Sequence, residues 1–183
     1  MALVAGLATA CSEGPLPSLP QSLSDYGCDA VAQLLDNQGL MRSRGGDPAG
    51  AIGDFNAVLR VTPGCAIAYN NRGQAKMKLG DLQGAFEDFS EAIRLVPGYA
   101  APYQNRGLVY SKSRNYPRAL SDLNMALRLN PNFAAAYFNR SVVLMWLFRD
   151  DDSRADYVRT LELEPDWREE LDKETDAARR NRG

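Results

Sequence analysis

The chain has 183 residues, 45% apolar and 24% charged, with 21 Lys+Arg against 23 Asp+Glu and a net charge of −2. That is the make-up of one ordinary globular domain, and it lacks the basic footprint of a nucleic-acid binder. Histidine is absent, which removes the commonest metal ligand and the commonest general base. The cysteines at 11, 28 and 65 are too scattered for a zinc framework. No apolar run approaches the roughly 18 residues of a spanning helix; the longest, Val142 to Phe148, has seven.

In chain order, residues 1–11 come first as an apolar, small-residue segment, with Ala8-Thr9-Ala10 in an A-x-A cleavage pattern. The Ala10–Cys11 junction resembles a bacterial lipoprotein box, in which Cys11 would carry the lipid and anchor the chain to a membrane. The other reading is a small-residue tail or a first helix turn. Residues 12–31, beginning SEGPLPSLPQSLS, read as a Pro- and Ser-rich linker that runs into the first helix.

From residue 32 the chain repeats. Pro63, Pro97, Pro131 and Pro165 are spaced by 34, as are Asn37, Asn71, Asn105 and Asn139, and Asp54, Asp88, Asp122 and Asp156. Tyr69, Tyr103 and Tyr137 keep the same step. Four units follow: 32–65, 66–99, 100–133 and 134–167. Each predicts two helices. In 66–99 the first carries Ala68, Tyr69, Arg72, Ala75 and Leu79 at helical spacing, and Gly80 breaks it. Asp81 then caps a second helix with an apolar stripe from Leu82 to Leu95, ended by Pro97. Asp47 before Pro48, Asn115, and one of Asp150, Asp151 and Asp152 supply the other caps. Small residues recur at Gly39, Gly73, Gly107 and Ser141, and at Ala51, Ala85, Ala119 and Ser153, where helices must approach closely. Mirror positions about each turn set Arg72, Arg106 and Arg140 level with Asp88, Asp122 and Asp156, which predicts one ion pair per unit. Unit one has Gln38 at the arginine position, leaving Asp54 to seek Arg72.

Residues 168–183 end the chain as a polar helix with Leu171, Thr175 and Ala178 on one side, followed by a basic tail. No segment alternates with period two, so the expected class is all-α, a solenoid of four helix-turn-helix units with a capping helix.

Unit length and pattern, best seen as Tyr69, Gly73, Ala85, Phe89 and Pro97, resemble the tetratricopeptide repeat. The resemblance implies that first helices line a concave groove through positions 2, 5, 6, 9, 12 and 13 of each unit; separately, with no His and no nucleophile–base or metal constellation, no enzyme activity, cofactor or metal is expected. Those positions hold Asn70, Gln74 and Lys78 in unit two, Gln104 and Lys112 in unit three, and Phe138, Val142, Met145 and Trp146 in unit four. The last four form one apolar face, for a partner or for the chain's own cap or linker to cover. The asparagine ladder Asn37, Asn71, Asn105 and Asn139 falls at position 6. Its amides can pair with the backbone of an extended peptide; the alternative is that each ties its helix to the next. Chaperone-binding relatives grip a carboxylate with Lys, Asn and Arg. Here the cationic positions hold Asn70, Ala135 and Asn139, or Asp36, Ala101 and Asn105, which argues against that clamp.

An antiparallel hairpin brings Cys28 and Cys65 close enough to bridge, as an exported protein would allow; two unpaired thiols are the other reading. The expected role is a scaffold for a protein or peptide partner, or another copy of the chain, in assembly at a bacterial envelope. A cytoplasmic adaptor or co-chaperone-like protein is the alternative. An enzyme is disfavoured, because no site can be written without His or a metal cluster.

Overall fold

The computed structural model describes residues 22–28 and 30–181. After a 3-10 turn at Leu23–Tyr26 come nine α-helices among the described residues: α1 (Ala30–Arg44), α2 (Pro48–Val61), α3 (Ala66–Lys78), α4 (Leu82–Leu95), α5 (Ala100–Lys112), α6 (Tyr116–Leu129), α7 (Ala134–Trp146), α8 (Asp150–Leu163) and α9 (Arg168–Asn181). No strand occurs among them, and the all-α solenoid is the fold. The leader and lipid-box expectations for 1–11, Cys11 included, lie outside the described residues.

Local chemistry sets the helix ends. Asp47 and Asp81 accept bonds from the Gly50 and Gly84 amides at 2.8 and 2.9 Å, and Asn115 accepts from Arg118 at 3.4 Å. Unit four departs from expectation. Its N-cap is Arg149, without a side-chain cap, and Asp150–Asp152 occupy the first helical turn, where the dipole favours negative charge. The hairpin turn needs a left-handed residue, which is Gly46 and Gly80 in the first two units but Arg114 and Phe148 in the last two.

Each hairpin packs through a residue with little or no side chain. A Cβ on Gly39 would stand 2.6 Å from the Phe55 ring, and one on Gly73 would stand 2.7 Å from Phe89. Unit four puts Ser141 there. The aromatic residue opposite, Tyr157, turns outward, and its hydroxyl pairs with Asp172 of α9 at 2.5 Å. Each first helix packs on the second helix before it, and successive first helices also touch. Second helices meet mainly across the intervening first helix, so the first helices form the inner, concave layer.

The predicted ion pairs are present and extend further than expected. Arg72, Arg106 and Arg140 hold Asp88, Asp122 and Asp156 with two parallel bonds each, 2.6–2.9 Å long. The remaining guanidinium nitrogen reaches back to the preceding unit, to Asn56 at 2.7 Å, Ser90 at 3.2 Å and Asn124 at 2.7 Å. The carboxylate bonds hold the Arg106 and Arg140 pKa above its ordinary value against desolvation. Asp54 does not seek Arg72, whose fork is committed to Asp88. It pairs with Arg42 instead, at 3.2 Å.

At the other end, Cys28 and Cys65 are joined, with Cα atoms 4.6 Å apart. The neighbouring Gly27 adopts a φ of 68°, and a Cβ on it would clash with the Gly64 carbonyl. Tyr26 then meets Tyr99 edge-on, with centroids 4.7 Å apart. Residues 26–28 thus strap the loops that follow α2 and α4.

Candidate functional site: the concave face

The inner face has a polar floor. Asn71 Nδ2 donates to both carboxylate oxygens of Asp36, at 3.0 and 2.8 Å. Asn70 Nδ2 donates to Asn71 Oδ1 at 3.3 Å, and Asn105 Nδ2 donates to Asn70 Oδ1 at 2.9 Å. One chain of bonds therefore links α1, α3 and α5, and all four side chains are buried. Burial pushes the Asp36 carboxyl above the usual carboxylate range, and the Asn71 bond only partly offsets this.

This corrects the reading of the ladder as a set of peptide hooks. The Asn71 and Asn105 amide donors are engaged by the preceding helix, as the alternative reading had it. Asn37 is exposed and Asn139 half-buried, and neither makes a side-chain hydrogen bond among the described residues. The sequence reading missed Asp36 as a partner. Its signal was there: Asp36 stands at position 5, one residue before the ladder, like Asn70 and Gln104.

Along the walls, Gln74 is half-buried, Gln104 is buried and Lys112 is exposed. Lys78 reaches the Ser43 carbonyl and hydroxyl, both at 3.1 Å. The apolar face of α7 is not left open. Phe138 packs edge-on against Trp167 with centroids 6.1 Å apart, and Trp146 stacks on Tyr116 of α6 at 5.5 Å. Met145 is buried beside a cleft of about 490 Å³ between α8 and α9, and Val142 is half-buried. The reason is the cap. Helix α9 buries Leu171, Thr175 and Ala178 and packs across α7, so the last unit's inner face is largely roofed by the chain itself. Trp167 and Glu170, which border this face, were not singled out from sequence, because only the docking of the cap brings them there.

Among the described residues no group of three or more Cys, Asp and Glu is placed to hold a metal, and no helix is long and apolar enough to cross a membrane. Models of the tetratricopeptide repeat match residues 37–100 and 100–133. The chain belongs to the tetratricopeptide repeat family. Its array is a protein-interaction scaffold by construction. No curated protein matches in sequence. Among solved structures, the thermophilic repeat protein TTC0263 of Thermus thermophilus is 22% identical, covers 80% of this chain and 87% of its own, and superposes with a TM-score of 0.69. MamA from Desulfovibrio magneticus RS-1 is 19% identical over 73% of this chain and 76% of its own, with a TM-score of 0.63. The first repeat domain of Spaghetti (RPAP3), bound to the HSP90 peptide SRMEEVD, is 28% identical over 61% of this chain and 91% of its own, with a TM-score of 0.56.

Proposed function

We propose that this repeat protein is a non-enzymatic adaptor that holds an extended segment of a partner protein along units two and three of its inner face. One observation carries the reading. Gln74, Ser111 and Lys112 stand at positions 9, 12 and 13 of their units, the register expected to face the groove; they are half-buried or exposed, and their side chains make no hydrogen bond or ion pair among the described residues. Beneath them Asp36, Asn70, Asn71 and Asn105 are bonded to one another, so the floor is preorganised and the wall donors are free to meet a ligand. The partner's backbone would be read by the Gln74 amide and the Ser111 hydroxyl, and its acidic groups by Lys112.

The SRMEEVD tail bound by Spaghetti is not the expected ligand. The positions that would need cations hold Asn70, Ala135 and Asn139, and Asn70 is already engaged. The envelope is the proposed compartment, with Cys11 as the lipid attachment point. The Cys28–Cys65 pair supports this, since stable disulfides belong to oxidising compartments.

The test is capture by the full chain against a Gln74→Ala/Lys112→Glu variant with an unchanged melting temperature. Partners retained by the native chain should be lost by the variant at least tenfold, and equal recovery overturns the groove reading. Palmitate labelling that depends on Cys11 checks the location, and a soluble, unlabelled chain in the cytoplasmic fraction refutes it.

A further inference from the structure

A small cavity of about 180 Å³ lies at the junction of the last repeat and the cap, lined by Ala135, Phe138, Asn139, Trp167 and Glu170. It is below the roughly 300 Å³ at which small-molecule sites begin, and it suits a single side chain. Two aromatic rings stand nearly perpendicular in its wall, Phe138 and Trp167, with an interplanar angle of 82°. Around them are three polar groups: the Asn139 amide, the Trp167 indole N–H and the Glu170 carboxylate. None makes a side-chain hydrogen bond or ion pair among the described residues. The contrast within the ladder is direct. At the same register Asn71 and Asn105 donate to Asp36 and Asn70, whereas Asn139 has no such bond and borders this cavity.

We infer that this cavity receives an arginine side chain of the partner segment, at the cap end of the groove; the inference rests on the groove reading above. The chemistry selects that group. A guanidinium is planar, stacks on an aromatic face, carries charge at any physiological pH and offers several donors in a fixed fork. Trp167 supplies the strongest kind of ring for a cation. Glu170 supplies a carboxylate with no cation paired to it among the described residues, and Asn139 an amide oxygen for a further donor. An acidic or neutral polar side chain would meet Glu170 without compensating its charge. With Lys112 exposed on the wall of unit three, the face takes an acidic group toward the middle of the array and a basic one at its end. That polarity fixes the direction in which a partner segment lies.

The experiment uses the full chain labelled with 15N and the probe peptides acetyl-Gly-Arg-Gly-amide and acetyl-Gly-Gln-Gly-amide. The indole N–H signals of Trp146 and Trp167 are told apart with Trp146→Phe. The arginine probe should shift the Trp167 signal saturably, and the glutamine probe should not. Glu170→Gln, on an exposed position that leaves the melting temperature unchanged, should weaken the arginine probe about 3–10-fold. An equal response to both probes, or equal affinity of Glu170→Gln and the native chain, overturns the inference. So does self-association that Glu170→Gln abolishes, which would make a second copy the occupant. The Gln74→Ala/Lys112→Glu variant leaves this cavity intact. Loss of partner capture with retained arginine binding therefore separates the groove from the subsite.

Discussion

Asparagine is a poor helix former, and it persists in the middle of α3 and α5 because its amide has a destination. Asn71 reaches Asp36 and Asn105 reaches Asn70, each link spanning 35 residues, one more than the repeat. The register of the ladder was legible in the sequence. The partner position, 5, repeats in the sequence as well, but nothing within one unit ties position 6 to position 5 of the unit before; that offset of one residue comes from how successive first helices pack on each other. The Asp36 carboxyl carries a testable consequence. Burial raises its pKa in the folded state above the unfolded value, so folding favours the protonated form. That contribution to stability is fully present below the unfolded pKa, near 4, and is lost as pH rises through the raised value. Asp36→Asn keeps an oxygen for Asn71 and carries no charge. It should therefore gain stability relative to the native chain between about pH 4 and about pH 7. Urea melts of both chains at the two pH values check this, and a constant difference between them contradicts it.

At the scale of helices, the hairpins were readable because their determinants lie close in sequence. Asp47, Asp81 and Asn115 cap as placed, and the arginine–aspartate pairs form because mirror positions about a turn must meet. Unit four and the cap resisted the same reading. Whether Arg149 or an aspartate caps α8, and what α9 covers, depends on packing between units, which no spacing within one unit encodes. The glycines of the first helices sit between these cases: their spacing announced a close approach, and the structure supplies the ring that fills it. Gly73→Ala would force its methyl to within 2.7 Å of Phe89, which is fully buried and has no room to move. We expect a loss of about 1–3 kcal/mol, measured by chemical denaturation, and a smaller loss at Gly107, where the nearest atom is Leu123 Cγ at 3.0 Å. Equal losses at the two sites would mean that the close contact with Phe89 does not set the cost, since helix propensity alone would favour alanine at both.

At the scale of the molecule, the array is held differently at its two ends. The N-terminal end is closed by the Cys28–Cys65 bond, which spans 37 residues and encloses the first hairpin. In the chain-entropy account such a loop is worth about 3–4 kcal/mol. Cys28→Ser should lower the unfolding free energy by about that much, and reductant should do the same to the native chain. A Cys28→Ser chain as stable as the oxidised native protein would show that the strap contributes little. The C-terminal end relies on α9 and the Tyr157–Asp172 contact. Between the ends, each arginine clasp is written entirely within one unit and the unit before it. A tandem copy of residues 66–99 inserted in frame would bring its own arginine, its own aspartate, and at its position 25 a serine for the arginine of whichever unit follows. The joint thus needs no matching change elsewhere, so the array can be lengthened by plain duplication, one 34-residue segment at a time, while the strap and the cap stay as they are.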